Sequence, residues 1–337
     1  MNEILARAPT RVDLAGGTLD LWPISLLEEG ARTVNAAIDL EASARLVPRR
    51  DSAIHLQSLD QAIAETYPSV TAMRLDGRLG FMARLVREIP PGGGIDLITD
   101  CAAPAGSGLG GSSALGIAAG AALARFRGEE ISAGALLDLV QGVETQVLRV
   151  PTGVQDYHPA LRGGALAIHY GVRGTRVEEI PVDIDWLGER MVLCFSGVAR
   201  SSGVSNWDML KRYLDGERAA VEGIRRVAGA TRRMEKALAA ADLEEAAAAL
   251  AEEWESRKTL SEKVSNREIE SQMAAAKRAG ALSGKVCGAG GGGCIVFLAH
   301  PENRRRVEQA LEEQGARVLA ARPRREGLRI EVIPIPH

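Results

Sequence analysis

The sequence predicts an α+β protein of two lobes with a cleft between them. Its 337 residues exceed the ~250–300 at which a single hydrophobic core usually stops growing. Short apolar–polar runs open the chain at strand period, and Ala-, Glu- and Leu-rich stretches in pairs follow at helical period. A composition of 46% hydrophobic and 25% charged residues suits a substantial core and argues against disorder.

The elements follow in order. Ile4–Ala6, Arg11–Leu14 and Ala42–Val47 read as strands, punctuated by Gly16–Gly17 and Pro23. Gly94–Thr99 reads as a further strand, then the loop Ala102–Gly111, then an Ala-rich helix from Ser112 to Phe126. A second helix opens at Ser132 as N-cap, carries Leu136, Leu139, Val140, Val143 and Val147 as a buried stripe, and stops before Pro151. Gly163–Tyr170 and Arg190–Phe195 read as strands, with a domain boundary expected near Asp183–Gly188. Glu217–Lys258 has few breakers and predicts two long helices joined near Ala241–Asp242. Ser265 and Glu268 form a capping-box pattern opening a helix that ends near Gly280. The apolar strand Cys294–Ala299, a helix at Glu302–Gln314 and a strand at Leu328–Ile333 close the chain.

Charge narrows the function. Forty-one basic and 44 acidic residues leave a net −3, so no global field recruits nucleic acid or an anionic membrane. No apolar stretch approaches the ~20 residues that span a bilayer, and the start MNEILARAPT has no long apolar core, so a cytoplasmic protein is expected. Cys101, Cys194, Cys287 and Cys294 lack CxxC spacing and a nearby His pair, which argues against zinc or a disulfide framework and predicts reduced, partly buried thiols.

The 37 glycines cluster. AGSGLGGSSA at Ala105–Ala114, set between a strand and a helix, aims backbone N–H groups and a helix N-terminus at one spot, which makes an anion site. Gly106, Gly108, Gly110 and Gly111 let the main chain approach phosphate oxygens, and Ser112 and Ser113 offer hydroxyls to a phosphate or its Mg²⁺. GxGxxG is formally present, but the acidic residue that a dinucleotide fold places on a following strand is missing. A P-loop needs a lysine before Ser112, and there is none. A glycine turn serving helix–strand packing alone is the remaining alternative. The second run, GAGGGG at Gly288–Gly293, precedes a strand and by itself reads equally as a close backbone contact or a binding loop.

Three segments then stand in order: APTRVDLAGGTLD at Ala8–Asp20, APAGSGLGGSSA at Ala103–Ala114 and SGKVCGAGGGGCIVF at Ser283–Phe297. In these the chain resembles the GHMP kinases over nearly its whole length. Through LAGGTLD, Gly153-Val-Gln-Asp156 and the stretch Trp254–Asn266 it looks most like the branch containing heptose 7-phosphate kinase. The Glu-His of the galactokinase motif is here Gly17–Thr18, which argues against galactose.

The resemblance implies a lobe similar to ribosomal protein S5 domain 2 over 1–185, a ferredoxin-like lobe over 186–337, and ATP with Mg²⁺ between them. It implies Ser107 among the phosphate-binding residues of the loop and a metal held by Ser112 and Glu144. Asp156 matches the family's catalytic aspartate, with Arg11 beside it stabilising negative charge. Asp20, Gly17, Thr18, Gly290 and Gly291 fall on the substrate side, and Asp13 would support the site. For a substrate that already bears phosphate, Arg200, Arg257 and Lys258 are the candidate cations. The expected activity is phosphoryl transfer to a sugar or sugar phosphate, by a monomer or homodimer. A mevalonate- or homoserine-type alcohol kinase and a non-catalytic nucleotide or sugar sensor are the alternatives.

Overall fold

Residues 2–150, 152–198 and 203–335 are described by the computed structural model, 203–205 by backbone alone; Pro151 and Arg200 lie outside the described residues. The chain opens with β1 (Asn2–Ala15), one long strand where the sequence suggested two short ones. Short α1 (Ile24–Leu27) leads to β2 (Arg32–Pro48), β3 (Ile54–Ser58), β4 (Ile63–Tyr67), α2 (Gly80–Glu88) and β5 (Ile95–Cys101). Then come α3 (Gly111–Phe126), α4 (Ala133–Leu148), α5 (Tyr157–Arg162), β6 (Ala165–His169), β7 (Arg176–Glu179), α6 (Ile184–Arg190) and β8 (Met191–Phe195). The remainder is α7 (Gly203–Leu214), α8 (Arg218–Ala239), α9 (Leu243–Lys258), α10 (Arg267–Ala279), β9 (Ala281–Val286), β10 (Cys294–Ala299), α11 (Arg304–Glu313), β11 (Arg317–Leu319) and β12 (Arg329–Pro334).

Two sheets result. The larger runs β12–β1–β2–β5–β3–β4, with β6 and β7 extending from β2, and among the described residues only the β3–β5 pairing is parallel. The smaller is the antiparallel order β11–β8–β10–β9. The expected division at 185/186 falls within α6, between the sheets. The last strand crosses back, however: β12 pairs with β1 from Asn2↔Pro334 to Arg7↔Arg329, so the C-terminal segment completes the N-terminal sheet.

Helix α3 is apolar nearly all round because it is enclosed, packing on β1 and β2 and against α4. Gly116 and Gly120 permit that approach, since a Cβ on Gly116 would lie 2.4 Å from Val140 Cγ1. The joint of α8 and α9 is made by Asp242, whose side chain accepts from Glu245 N–H at 3.0 Å. At α10 the expected cap is corrected. Asn266, not Ser265, accepts from the Ile269 amide, while the Ser265 hydroxyl donates to Glu270. None of the four cysteines is in a disulfide among the described residues; three are buried and Cys101 is half-buried. Among the described residues no helix is long and apolar enough to cross a membrane.

Candidate active site

A cavity of about 440 Å³ opens where β1, the loop before α3 and the loop before α5 meet. Its floor is the glycine loop. Gly106, Gly108 and Gly110 take φ of 68°, 75° and 73° in alternation, a left-handed conformation cheap for glycine that turns successive amides to one side. Gly110 ends the loop at the N-terminus of α3, where the first amides have no helical partner. The loop is clamped from behind: Leu109 O accepts from Arg11 N–H at 3.0 Å and Ser107 O from Cys294 N–H at 2.7 Å.

Arg11 and Asp156 meet above this floor. The Arg11 Nε donates to Asp156 Oδ1 at 2.9 Å, Nη2 reaches the same oxygen, and Nη1 holds the Gly108 carbonyl. Burial alone would lower the Arg11 pKa, but Asp156 and Asp13 outweigh it and leave it raised, so the guanidinium is a permanent charge. Asp156 precedes α5 without capping it, so its carboxylate is not spent on its own backbone. A Cβ on Gly110 would stand 3.1 Å from the Asp156 side chain, so the carboxylate rests directly on the glycine loop.

Glu144 comes from α4, buried, at the head of α3. Its Oε2 accepts from Ser113 Oγ at 2.9 Å and Tyr157 OH at 2.5 Å, and Ser112 hydrogen-bonds the same carboxyl group. Burial raises the Glu144 pKa against these donors. Ser112, Ser113 and Glu144 all line the cavity, an all-oxygen set of the kind Mg²⁺ takes.

Next to Asp156 lie Gly17, Asp20 and Gln155. Gln155 N–H donates to Asp20 Oδ2 at 3.2 Å, and its Nε2 to Gly17 O at 3.0 Å. Asp20 Oδ1 and Gln155 Oε1 are left in the cavity wall with no partner. Burial and the neighbouring Asp156 push Asp20 up to about 7. Gly153 allows Asp20 its place, since a Cβ there would overlap Asp20 Oδ2 at 1.6 Å. Thr18 is buried beside this group but does not line the cavity.

Other expected residues stand elsewhere. Gly290 and Gly291 press on the backbone of Val264 and Lys263, outside the cavity lining, so the close-contact reading of that run describes them. Lys258 lies on a second, smaller cavity, paired with Glu255 at 2.8 Å. Arg257 faces no cleft. It is sealed with Asp13, Glu253 and Lys285, all at most 1% exposed. Lys285 Nζ lies 3.0 Å from Asp13 and 2.9 Å from Glu253, and Arg257 Nη2 donates to Gly288 O at 2.7 Å.

Sequence reasoning passed over Tyr157, Gln155, Glu253 and Lys285. Gln155 and Tyr157 flank Asp156 in the chain, and that adjacency was the available signal.

The geometry has parallels among known proteins. The GHMP kinase N-terminal domain model matches residues 77–164 and the C-terminal model residues 234–317. The D-glycero-alpha-D-manno-heptose 7-phosphate kinase of Campylobacter jejuni is 30% identical over 326 residues, 94% of this chain and 95% of that protein. A mevalonate kinase of Pyrococcus horikoshii is 31% identical over 71% of this chain and 70% of its own. In fold, the chain is similar to a solved D-glycero-D-manno-heptose 1-phosphate kinase from Bacteroides thetaiotaomicron, with TM-score 0.82, 24% identity and coverage of 98% and 100%. It is also similar to the galactose complex of Lactococcus lactis galactokinase, with TM-score 0.76, 18% identity and coverage of 97% and 95%. Matched by both family models on the segments that carry the glycine loop, Asp156 and the third motif, the chain belongs to the GHMP kinase family.

Proposed function

We propose that this kinase transfers the γ-phosphoryl group of ATP to a hydroxyl of a sugar or sugar phosphate, with a heptose 7-phosphate as the favoured acceptor. One observation carries the reading: an Arg11-held carboxylate, Asp156, rests on the glycine loop inside a cavity that Asp20 lines beside it. Phosphoryl transfer is mainly positioning and charge neutralisation. The triphosphate lies on the amides of 106–113, and the nucleoside runs on toward Ser58, Asp60, Arg78 and Phe81 in the same cavity. The acceptor hydroxyl sits against Asp156. Its oxygen bonds to the γ-phosphorus as the bond to the β–γ bridging oxygen breaks, and its proton passes to the Asp156 carboxylate. Arg11 stabilises the negative charge that develops between them.

Ser112 and Glu144 would hold Mg²⁺, which when bound neutralises charge on the β- and γ-phosphates. Ser113 and Tyr157 fix the Glu144 carboxylate for that task. The Campylobacter relative, aligned along nearly the whole chain, supports the heptose phosphate among acceptors.

The test is ADP release with a panel of acceptors: heptose 7-phosphate, fucose, galactose, mevalonate and homoserine. Heptose 7-phosphate is expected to give the highest kcat/KM. Strong turnover of mevalonate with every sugar inert would replace the acceptor class, and ADP release that no acceptor stimulates would sink the transfer reading.

A further inference from the structure

We infer that Lys285 and Arg257 are positioning residues for phosphoryl transfer, which neutralise Asp13 and so leave Arg11 free to hold Asp156. The inference rests on the transfer reading above and names the groups that keep its machinery aimed.

Arg11 and Asp13 are two residues apart on β1 and therefore share a face of the strand. The Arg11 guanidinium thus has two carboxylates within its field, Asp156 and Asp13. It hydrogen-bonds the first. The second is occupied: Lys285 Nζ of β9 lies 3.0 Å from Asp13 Oδ2 and Arg257 Nη1 of α9 lies 3.5 Å from it. A fourth group closes the balance. Glu253, one helical turn before Arg257, takes Lys285 at 2.9 Å, so two cations face two anions in a volume without solvent. None of the four lines the cavity, so they do not touch substrate.

The cluster also ties the glycine segments together. Glu253 Oε1 accepts from Gly16 N–H at 3.3 Å, and Arg257 holds the Gly288 carbonyl at the start of the glycine run in the third motif. Remove one cation and Asp13 must share the other with Glu253, so its charge is only partly compensated in a low-dielectric interior and pulls harder on Arg11, whose guanidinium already lies in its field. Drawn toward Asp13, Arg11 loosens its hold on Asp156.

The test is a charge cycle on the full chain, with heptose 7-phosphate as acceptor. Lys285→Met is expected to lower kcat at least ~10-fold with the KM for ATP within ~2-fold, and Asp13→Asn/Lys285→Met to return kcat to within ~3-fold of wild type. Arg257→Met and Asp13→Asn/Arg257→Met repeat the cycle from the other cation. If the single variants do not fold, the folded double variants decide alone. A double variant folded but reduced in kcat by more than ~10-fold overturns the inference, as does a single variant with wild-type kcat. A wild-type protein inert toward every acceptor would instead overturn the transfer reading itself, so the two failures are distinguishable.

Discussion

Arg11 and Asp13 point from the same face of one strand and end in opposite surroundings. Around Arg11 the groups open on a cavity. Asp156 is a quarter exposed, and Asp20 is buried beside it with its pKa pushed up to about 7. Around Asp13 the space is shut. Burial would raise its pKa, but Lys285, Arg257 and Arg11 hold it low. The difference teaches that Arg-Val-Asp specifies neither environment by itself. The glycine loop and residues 153–156 bring poorly compensated polarity to one residue, whereas α9 and β9 bring matched charge to the other. Poor compensation suits groups awaiting a substrate, and matched charge suits groups that join two lobes.

The largest effect expected on the open side is Asp156→Asn. It keeps the shape and removes the proposed proton acceptor, so kcat should fall ~10³-fold or more with ATP binding largely intact, read by steady-state kinetics and nucleotide titration. A value near wild type would reduce Asp156 to a spectator. On the sealed side the corresponding loss is in stability. Lys285→Met should cost ~3–5 kcal/mol in urea unfolding because it strands a buried anion. Glu253→Gln added to it should recover most of that, since one anion then faces one cation. A double variant less stable than the single would show that the four charges do not act as a balanced set.

Two glycines divide the regions more finely. A methyl on Gly17 would stand 2.0 Å from Asp13 Oδ2, which the sealed cations hold in place, whereas one on Gly153 would meet Asp20 at 1.6 Å. Neither position has the left-handed φ that would strain alanine, so space alone decides. Gly17→Ala should therefore cost ~1–3 kcal/mol of stability. Gly153→Ala, which displaces a group at the cavity, should raise the acceptor KM ~10-fold with a smaller change in melting temperature. Identical profiles for the two would erase the boundary drawn between the regions.

Much of the open side could be read from the sequence, because its parts are local. The Gly-Ser loop announces its turn and its helix, and Gly153–Asp156 is one short segment. The sealed side could not be read so. Lys285 sits in a glycine-rich stretch where a lysine is ordinarily solvated, and Arg257 meets an aspartate 244 residues away. Gly290 and Gly291 show the same limit: glycines that admit a ligand and glycines that admit a backbone look alike until Val264 is in place beside them. The tail Arg329–Pro334 reads as a strand, but its pairing with β1 is decided by long-range closure of the sheet. Helix α7 carried no cap or stripe clear enough to place it from sequence, although Met209 and Leu210 bury against Leu19 and Ile24.

A pH-dependent effect tests the open side without substrate. Burial and then the charge of Asp156 push Asp20 up to about 7, against the Gln155 N–H that favours its ionised form. Between the ordinary carboxylate range and that value, the folded chain keeps a proton that the unfolded chain has lost. The ligand-free protein therefore loses stability as pH rises through the interval, and the loss is complete once the folded carboxyl ionises. Asp20→Asn carries no such proton. It should be about neutral near pH 4 and stabilising near pH 8, the difference reaching roughly 2–4 kcal/mol in denaturant midpoints measured across the range. A difference that does not change with pH would mean that Asp20 is ionised throughout. The single backbone donor would then outweigh both burial and Asp156, and Asp20 would belong with Asp13 among the compensated charges.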